Sequence, residues 1–270
     1  MCYNDVLSNL IFQRDSTAME NNNRFLLIEL IKRDFIKKYK RTSFGILWSA
    51  LSPLLLLVTM DLIFGTFFGK HMPHYTIYLF SGLLLFRYFS SVTTAAMKIL
   101  YSSAPIYSKV PVPKTYFVIS HGAANFIDFL VSLLVYFLFV AIDGISFRLN
   151  FFMLIYPIVC LFFINLGIGL FLSTLYIFFR DISYIWPVIC RIIMYSSAIF
   201  YDISILPGIF RRLLPCSPLY MCVDYFRQLV IHATVPSVEY HLILAGASIL
   251  CMLLGGFTYR ICRDRISLYV

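Results

Sequence analysis

Charge is what this chain has least of. Only 13% of its 270 residues are Asp, Glu, Lys or Arg, against about 25% in an ordinary soluble domain. A water-soluble globular protein is therefore excluded. The residue patterns of catalysis are missing too: there is no HExxH, no GxSxG, no CxxC, no histidine cluster at metal spacing and no clustered acid pair. The nearest approach to a phosphate-cradling loop, Gly65 to His71, is one residue short of GxxxxGK(S/T) and has no strand before it, which excludes an ATP site built that way. No run of about ten residues alternates apolar and polar side chains, so a membrane β-barrel is excluded as well. Residues 1–23 hold no apolar stretch followed by a small-residue cleavage site. No cleaved leader is expected, and the first hydrophobic run is expected to act as the insertion signal.

What the chain has is apolar length. Hydrophobic residues make up 60% and aromatics 18%, and the mean hydropathy is +0.84. A crossing helix needs about 20 predominantly apolar residues, and only a helix satisfies its own backbone in lipid. Six runs qualify: 44–68, 75–97, 115–142, 151–176, 184–203 and 240–259. The fold class is an all-α integral membrane protein with six transmembrane helices, an N-terminal amphipathic interfacial helix, and short re-entrant helices on the outer side before the last span. Residues 1–43 form the N-terminal segment, 44–259 the transmembrane domain with an outer segment at 204–239, and 260–270 the tail.

A net charge of +9 in a soluble protein would suggest nucleic acid. Here its distribution decides otherwise. With the N-terminus inside, the cytoplasmic segments hold 15 of the 22 Lys and Arg, the outer segments hold Lys70, Arg148, Arg211, Arg212 and Arg227, and Arg87 and Arg191 lie within spans. Basic excess in short loops marks the cytoplasmic side, so both termini are expected there and no nucleic-acid partner is needed. Seven cysteines include Cys160, Cys190 and Cys251 inside spans, where thiols behave as small apolar groups. Cys216 and Cys222 share the outer segment, and whether they pair stays open.

Residues 24–41 place Phe25, Ile28, Ile31, Phe35 and Tyr39 on one helical face and Glu29, Arg33, Lys37, Lys40 and Arg41 on the other. That is a basic amphipathic helix for the inner headgroup layer, either a plain anchor or a jointed element. Thr42, Ser43 and Gly45 break it, Trp48 suits an interface, and Pro53 can kink the first span. The 98–114 loop is short and basic, carries three prolines and a Ser102-Ser103 capping pair, and reads equally as a connector or a docking element. In 204–239, Leu219, Cys222, Val223, Phe226, Leu229 and Val230 form an apolar stripe with Asp224, Arg227 and Gln228 opposite; Pro207-Gly208, Pro215 and Pro218 cut the segment into two helices too short to cross.

Ionisable groups inside spans are costly, at least about 2.5–3.5 kcal/mol at mid-bilayer. Asp61 and Asp202 lie near span ends; Arg87, Asp128 and Arg191 lie deeper and are expected to face the bundle interior or a wet cavity. Pairing of Arg87 with Asp128 is the first expectation for them and a place on a transport path the second. The first and fifth spans concentrate rings: Trp48, Phe64, Phe67 and Phe68, then Trp186, Tyr195, Phe200 and Tyr201. Such faces would let sugar rings slide by stacking.

The run from Arg33-Asp34 through Lys37, Lys38, Tyr39, Ser43, Phe44, Gly45 and Trp48 to Pro53 resembles the opening signature of ABC-2 type permeases, and within them the polysaccharide-exporting branch that serves O-antigen, capsule and teichoic acid. It departs at Lys38, where the family has Arg, and at Phe44, where it has Leu. Three later stretches fit in order: Lys109 to Lys114, Phe179-Arg180-Asp181, and Ser217-Pro218, where the family usually has Asn-Pro. The likeness spans residues 24–265. It implies a homodimer in the cytoplasmic membrane of a bacterium, working with separate ATP-binding subunits that hold ATP and Mg, so that this chain carries no catalytic residue, cofactor or metal of its own. It also implies that 24–41 is a gate helix (Arg33, Asp34, Lys37, Tyr39, Gly45), that the 98–114 loop couples to the ATPase (Ser103, Pro105, Tyr107, Lys109, Lys114), and that 206–232 closes the path outside. Trp48, Phe64, Phe67, Tyr195, Phe200 and Tyr201 would line a channel for a lipid-linked glycan among membrane lipids. Rival readings are an ABC-2 exporter of drugs or other lipids, a membrane-embedded glycosyl- or phosphotransferase, which would need polar residues clustered at one depth, and an ion-coupled carrier, which would show two related halves.

Overall fold

Gly45, at φ +50°, adopts a left-handed conformation that costs a glycine little, and there the chain turns from its first helix into its second. A computed structural model describes residues 24–39, 44–69, 72–109 and 112–269; expectations resting on 1–23, Lys40 to Ser43, Lys70, His71, Val110, Pro111 and Val270 lie outside these. Helix α1 covers 24–39. It is followed by α2 (Leu47–Phe68), α3 (Tyr75–Met97), two single turns, α4 (Ile99–Ser102) and α5 (Ala104–Tyr107), and then α6 (Thr115–Ile142). A 3-10 turn at Leu149–Leu154 leads into α7 (Ile155–Phe178), and α8 (Ile182–Ser196), α9 (Gly208–Leu213), α10 (Pro218–Val230) and α11 (Val238–Tyr269) complete the order. Among the described residues there is no strand.

By length and composition, four segments are long and apolar enough to cross a membrane: Leu47–Phe68, Thr115–Ile142, Leu149–Phe178 and Val238–Ile266. Helix α3 matches them in length but carries serine, threonine, tyrosine and Arg87, and it lies at the centre, packed against α2, α6, α7, α8 and α10. Ser81 and Thr93 are buried in the protein, and Arg87 and Ser91 face a cavity between helices. Helices α7 and α11 approach most closely. A Cβ on Gly167 would stand 2.4 Å from the Cys251 carbonyl, and one on Gly255 2.1 Å from the Gly167 oxygen. Backbone meets backbone there, which small residues permit and larger ones forbid.

Helix α2 is the opposite case. It buries only Ser49, Pro53 and Leu57, a stripe at four-residue spacing, and leaves Leu51, Leu55, Val58 and Leu62 outward. Helix α8 likewise buries only Trp186 and Cys190.

Several expectations are corrected. The expected fifth span at 184–203 is a 15-residue helix that stops at Ser196; the apolar residues after it continue as unwound chain, because their carbonyls find donors elsewhere. The expected tail at 260–270 is part of α11, helical to Tyr269. Cys216 and Cys222 are both free thiols, the first exposed and the second buried. Ser217 stands before α10 without a side-chain capping bond, and Pro218 takes the first helical position, where its missing N–H costs nothing.

Candidate functional site

Two polar centres interrupt this otherwise apolar bundle, one at each end. The first lies where α1 meets α6 at the end carrying the 98–114 loop. Asp34 accepts from Ser120 Oγ at 2.8 Å and from Arg33 Nη2 at 2.6 Å, and the Arg33 guanidinium lies 5.7 Å from the Phe117 ring centroid. One turn on, Lys38 is ion-paired to Asp128 and donates to Asn125 Oδ1 at 3.0 Å. Tyr39 donates to Asp128 and shares a hydrogen bond with Ser49. Burial and the Asp128 carboxylate together push the Tyr39 phenol up to about 12, so it remains a donor at neutral pH. The α1 face toward α6 is thus polar, while Phe25, Ile28 and Ile36 point away from the protein. That leaves those apolar residues free to meet lipid, as an amphipathic interfacial helix requires, while the carboxylates turn to partners within the protein.

Beside this seam is a cavity of about 270 Å³ between α1, α2, α3 and α6. Lys38, Tyr39, Trp48, Arg87, Asn125, Asp128 and the hydroxyls of Ser49, Ser52, Ser91 and Ser132 line it. The expected Arg87–Asp128 pair is corrected: Asp128 is held by Lys38, and Arg87 forms no ion pair among the described residues. Two cations therefore face one carboxylate. The reason is reach, since Lys38 comes in from α1, a helix whose polar side the sequence pattern assigned to the headgroups. Arg191 is also corrected: it is exposed on the outer surface of α8.

The second centre is at the far end. Arg227, expected on the polar side of α10, is buried, 4% exposed. Its Nη1 donates to Ala198 O at 2.9 Å, its Nη2 to Ile199 O at 3.2 Å and Tyr78 O at 3.3 Å, and its guanidinium carbon lies 3.4 Å from the Tyr78 ring centroid. Beside it a cavity of about 600 Å³ is lined by Phe67, Phe68, Tyr78, Asp202, Ser204 and His232, among others. The signal that could have found Arg227 is a basic residue next to Phe226 in a helix already expected to re-enter the membrane, where a charge needs partners within the protein.

The ring residues divide. Phe64 lies 4.8 Å and Tyr195 5.9 Å from Phe200, centroid to centroid, and Tyr201 donates to the Tyr195 carbonyl at 2.6 Å. Phe200 is 2% exposed, so it is core and faces no path in this conformation, a correction that follows from the turn after α8. Tyr195 is exposed, Phe67 is exposed at the rim of the far-end cavity, and Trp48 stands at the mouth of the inner cavity against Phe44. In the 98–114 loop, Ser103 is buried and its carbonyl starts α5, whereas Pro105, Ile106 and Lys109 are exposed. Lys114 is turned back over the Tyr107 ring at 5.3 Å and donates to Arg263 O at 3.4 Å; burial lowers its pKa. Lys37 is exposed on α1.

Comparison with known proteins follows the same stretch of chain. The profile of the family described as ABC-2 type transporter matches residues 26–231. The O-antigen export system permease protein RfbA of Klebsiella pneumoniae is 26% identical over 232 residues, covering 85% of this chain and 89% of that one. Its namesake from Myxococcus xanthus is 21% identical over 235 residues, with coverage of 85% and 89%. The polysialic acid transport protein KpsM of Escherichia coli is 22% identical over 237 residues, covering 86% and 91%.

Proposed function

Because the chain belongs to the ABC-2 type transporter family, we propose that it is the permease subunit of an ATP-driven exporter carrying a lipid-linked polysaccharide, of O-antigen or capsule type, outward across a bacterial cytoplasmic membrane. The named relatives, similar along most of both chains, support the cargo class. The structural observation that carries the reading is the inner cavity, where Lys38 and Arg87 face the single carboxylate of Asp128. An anionic headgroup on a lipid-linked glycan would complete that charge, and the serine hydroxyls would accept and donate around it.

In this reading the basic end is cytoplasmic, following the Lys and Arg asymmetry. Six crossings would be made by α2, α3, α6, α7, α11 and by α8 extended through its unwound end, with α9 and α10 re-entering from outside. A second copy would cover the apolar faces of α2 and α8. ATP and Mg would belong to a separate subunit, which would dock where Pro105, Ile106 and Lys109 project. Closure of that subunit on ATP would push α4 and α5, and Ser103 and Lys114 would pass the displacement to α6 and α11.

The test is co-purification of the tagged chain with candidate ATPases from its own membrane, beside the double variant Ile106→Asp, Lys109→Glu. The wild-type complex should hydrolyse ATP in lipid and the variant should lose most of the bound ATPase while keeping its own fold. A wild-type chain that captures no ATPase, or a variant that binds it normally, would overturn the exporter assignment or the docking loop respectively.

A further inference from the structure

Helix α8, at about 1.5 Å per residue, reaches only about 22 Å, short of a hydrocarbon core about 30 Å thick. The last helical bond is Ser197 N–H to Ile193 O at 2.9 Å; the chain then continues unwound, and Ala198 takes φ +48°, an uncommon value for a residue with a Cβ. Unwound peptide at membrane depth is tolerated only where the protein itself satisfies it. Here four consecutive carbonyls are each met. Arg227 donates to Ala198 O and Ile199 O. Tyr75 donates to Phe200 O at 2.9 Å, and the Tyr78 hydroxyl donates to Tyr201 O at 2.8 Å and to Ala198 O at 3.2 Å. No carboxylate among the described residues partners the guanidinium; the backbone of the break does. Gly82 makes room, since a Cβ there would stand 2.9 Å from Ile199 Cγ2 and 3.0 Å from Arg227 Nη2. One donor, Arg227 Nε, is buried without a partner among the described residues, so the guanidinium holds fewer bonds than it could make.

We propose that Arg227 is a positioning residue for export: it pins the unwound end of α8 to α3 and α10, and export requires that this pin exchange carbonyls as the segment 197–202 shifts. The spare Nε–H and the tyrosine hydroxyls are the donors that would take up the exchange. This segment forms part of the wall of the far-end cavity through Asp202, so its position sets the shape of the exit. The inference rests on the exporter reading for its transport readout but not for its conformational one.

The experiment uses the full chain with its ATPase and two variants, Arg227→Lys and the double Tyr75→Phe, Tyr78→Phe. Lysine keeps the positive charge and cannot fork to several carbonyls. Ile199→Cys, at a buried position, reports opening through its rate of reaction with a membrane-impermeant maleimide, read by peptide mass spectrometry. In the chain alone, Arg227→Lys should speed labelling of the thiol introduced at position 199 at least about fivefold, and the tyrosine pair about twofold. In the complex, Arg227→Lys should leave assembly and ATP hydrolysis within about twofold of wild type while export falls about tenfold. Unchanged labelling would overturn the pin even if export proceeds. Parallel loss of assembly, hydrolysis and export would make Arg227 a plain support of the fold and overturn its positioning role. A chain that captures no ATPase would fail the exporter reading, with the labelling comparison still deciding the pin.

Discussion

Two arginines lie inside the bundle and are held in different ways. Arg227 donates through its terminal nitrogens to backbone carbonyls of the broken helix and of α3, and is 4% exposed. Arg87, half-buried on α3, lines an open cavity and makes no ion pair among the described residues. Both carry the charge that lipid penalises, but the first meets that penalty within the fold and the second leaves it to be met by whatever enters. A buried cation held by backbone carbonyls fixes the position of chain; one facing a cavity beside a lysine marks a binding surface for anions.

The sharpest way to break this comparison is to remove both side chains in turn. Arg227→Met removes three hydrogen bonds and leaves the buried Ile199 carbonyl without its donor, a loss of about 1–3 kcal/mol for the orphaned group alone, so the solubilised chain should lose at least that much stability, seen as a clear fall in thermal midpoint. Arg87→Met should change stability by no more than about 0.5 kcal/mol and still cut export severalfold; equal destabilisation by the two would erase the distinction. Between these lies Asp128→Asn, which removes the charge and one of the two accepting oxygens shared by Lys38, Tyr39 and Ser49. Export should fall about tenfold, because Lys38 and Tyr39 lose the charged partner that seats α1 against α6. The smallest effect is expected from Lys37→Ala, exposed on α1: export within about twofold of wild type, checked by surface glycan staining in the same cells.

Much of the fold could be read from sequence because lipid leaves few options. The runs at 44–68, 75–97, 115–142 and 151–176 became α2, α3, α6 and α7 with ends moved by a few residues, since apolar length and glycine or proline punctuation are local signals. The last run became α11, begun two residues earlier and carried on through the expected tail. What could not be read depended on distant chain. Residues 197–203 are as apolar as a helix end, and nothing nearby shows that Arg227 and Tyr78 take their carbonyls. Likewise Asp128 was seen to need a cation, and Arg87 was the nearer choice by span; Lys38 arrives only once α1 lies along α6. The opening motif at Arg33 to Pro53 includes Arg33, Asp34, Lys38 and Tyr39 of the first centre, but nothing in its spacing shows that Lys38 and Tyr39 reach Asp128.

The contact of Gly167 with Gly255 has a mechanical consequence. With backbone seated on backbone, α7 and α11 cannot slide or roll past each other without a collision, so the pair behaves as a stator. Displacement during a transport cycle is then left to the loosely seated α1, α2 and α8, and a crosslink between α7 and α11 should be silent where one between α2 and α3 stalls the machine.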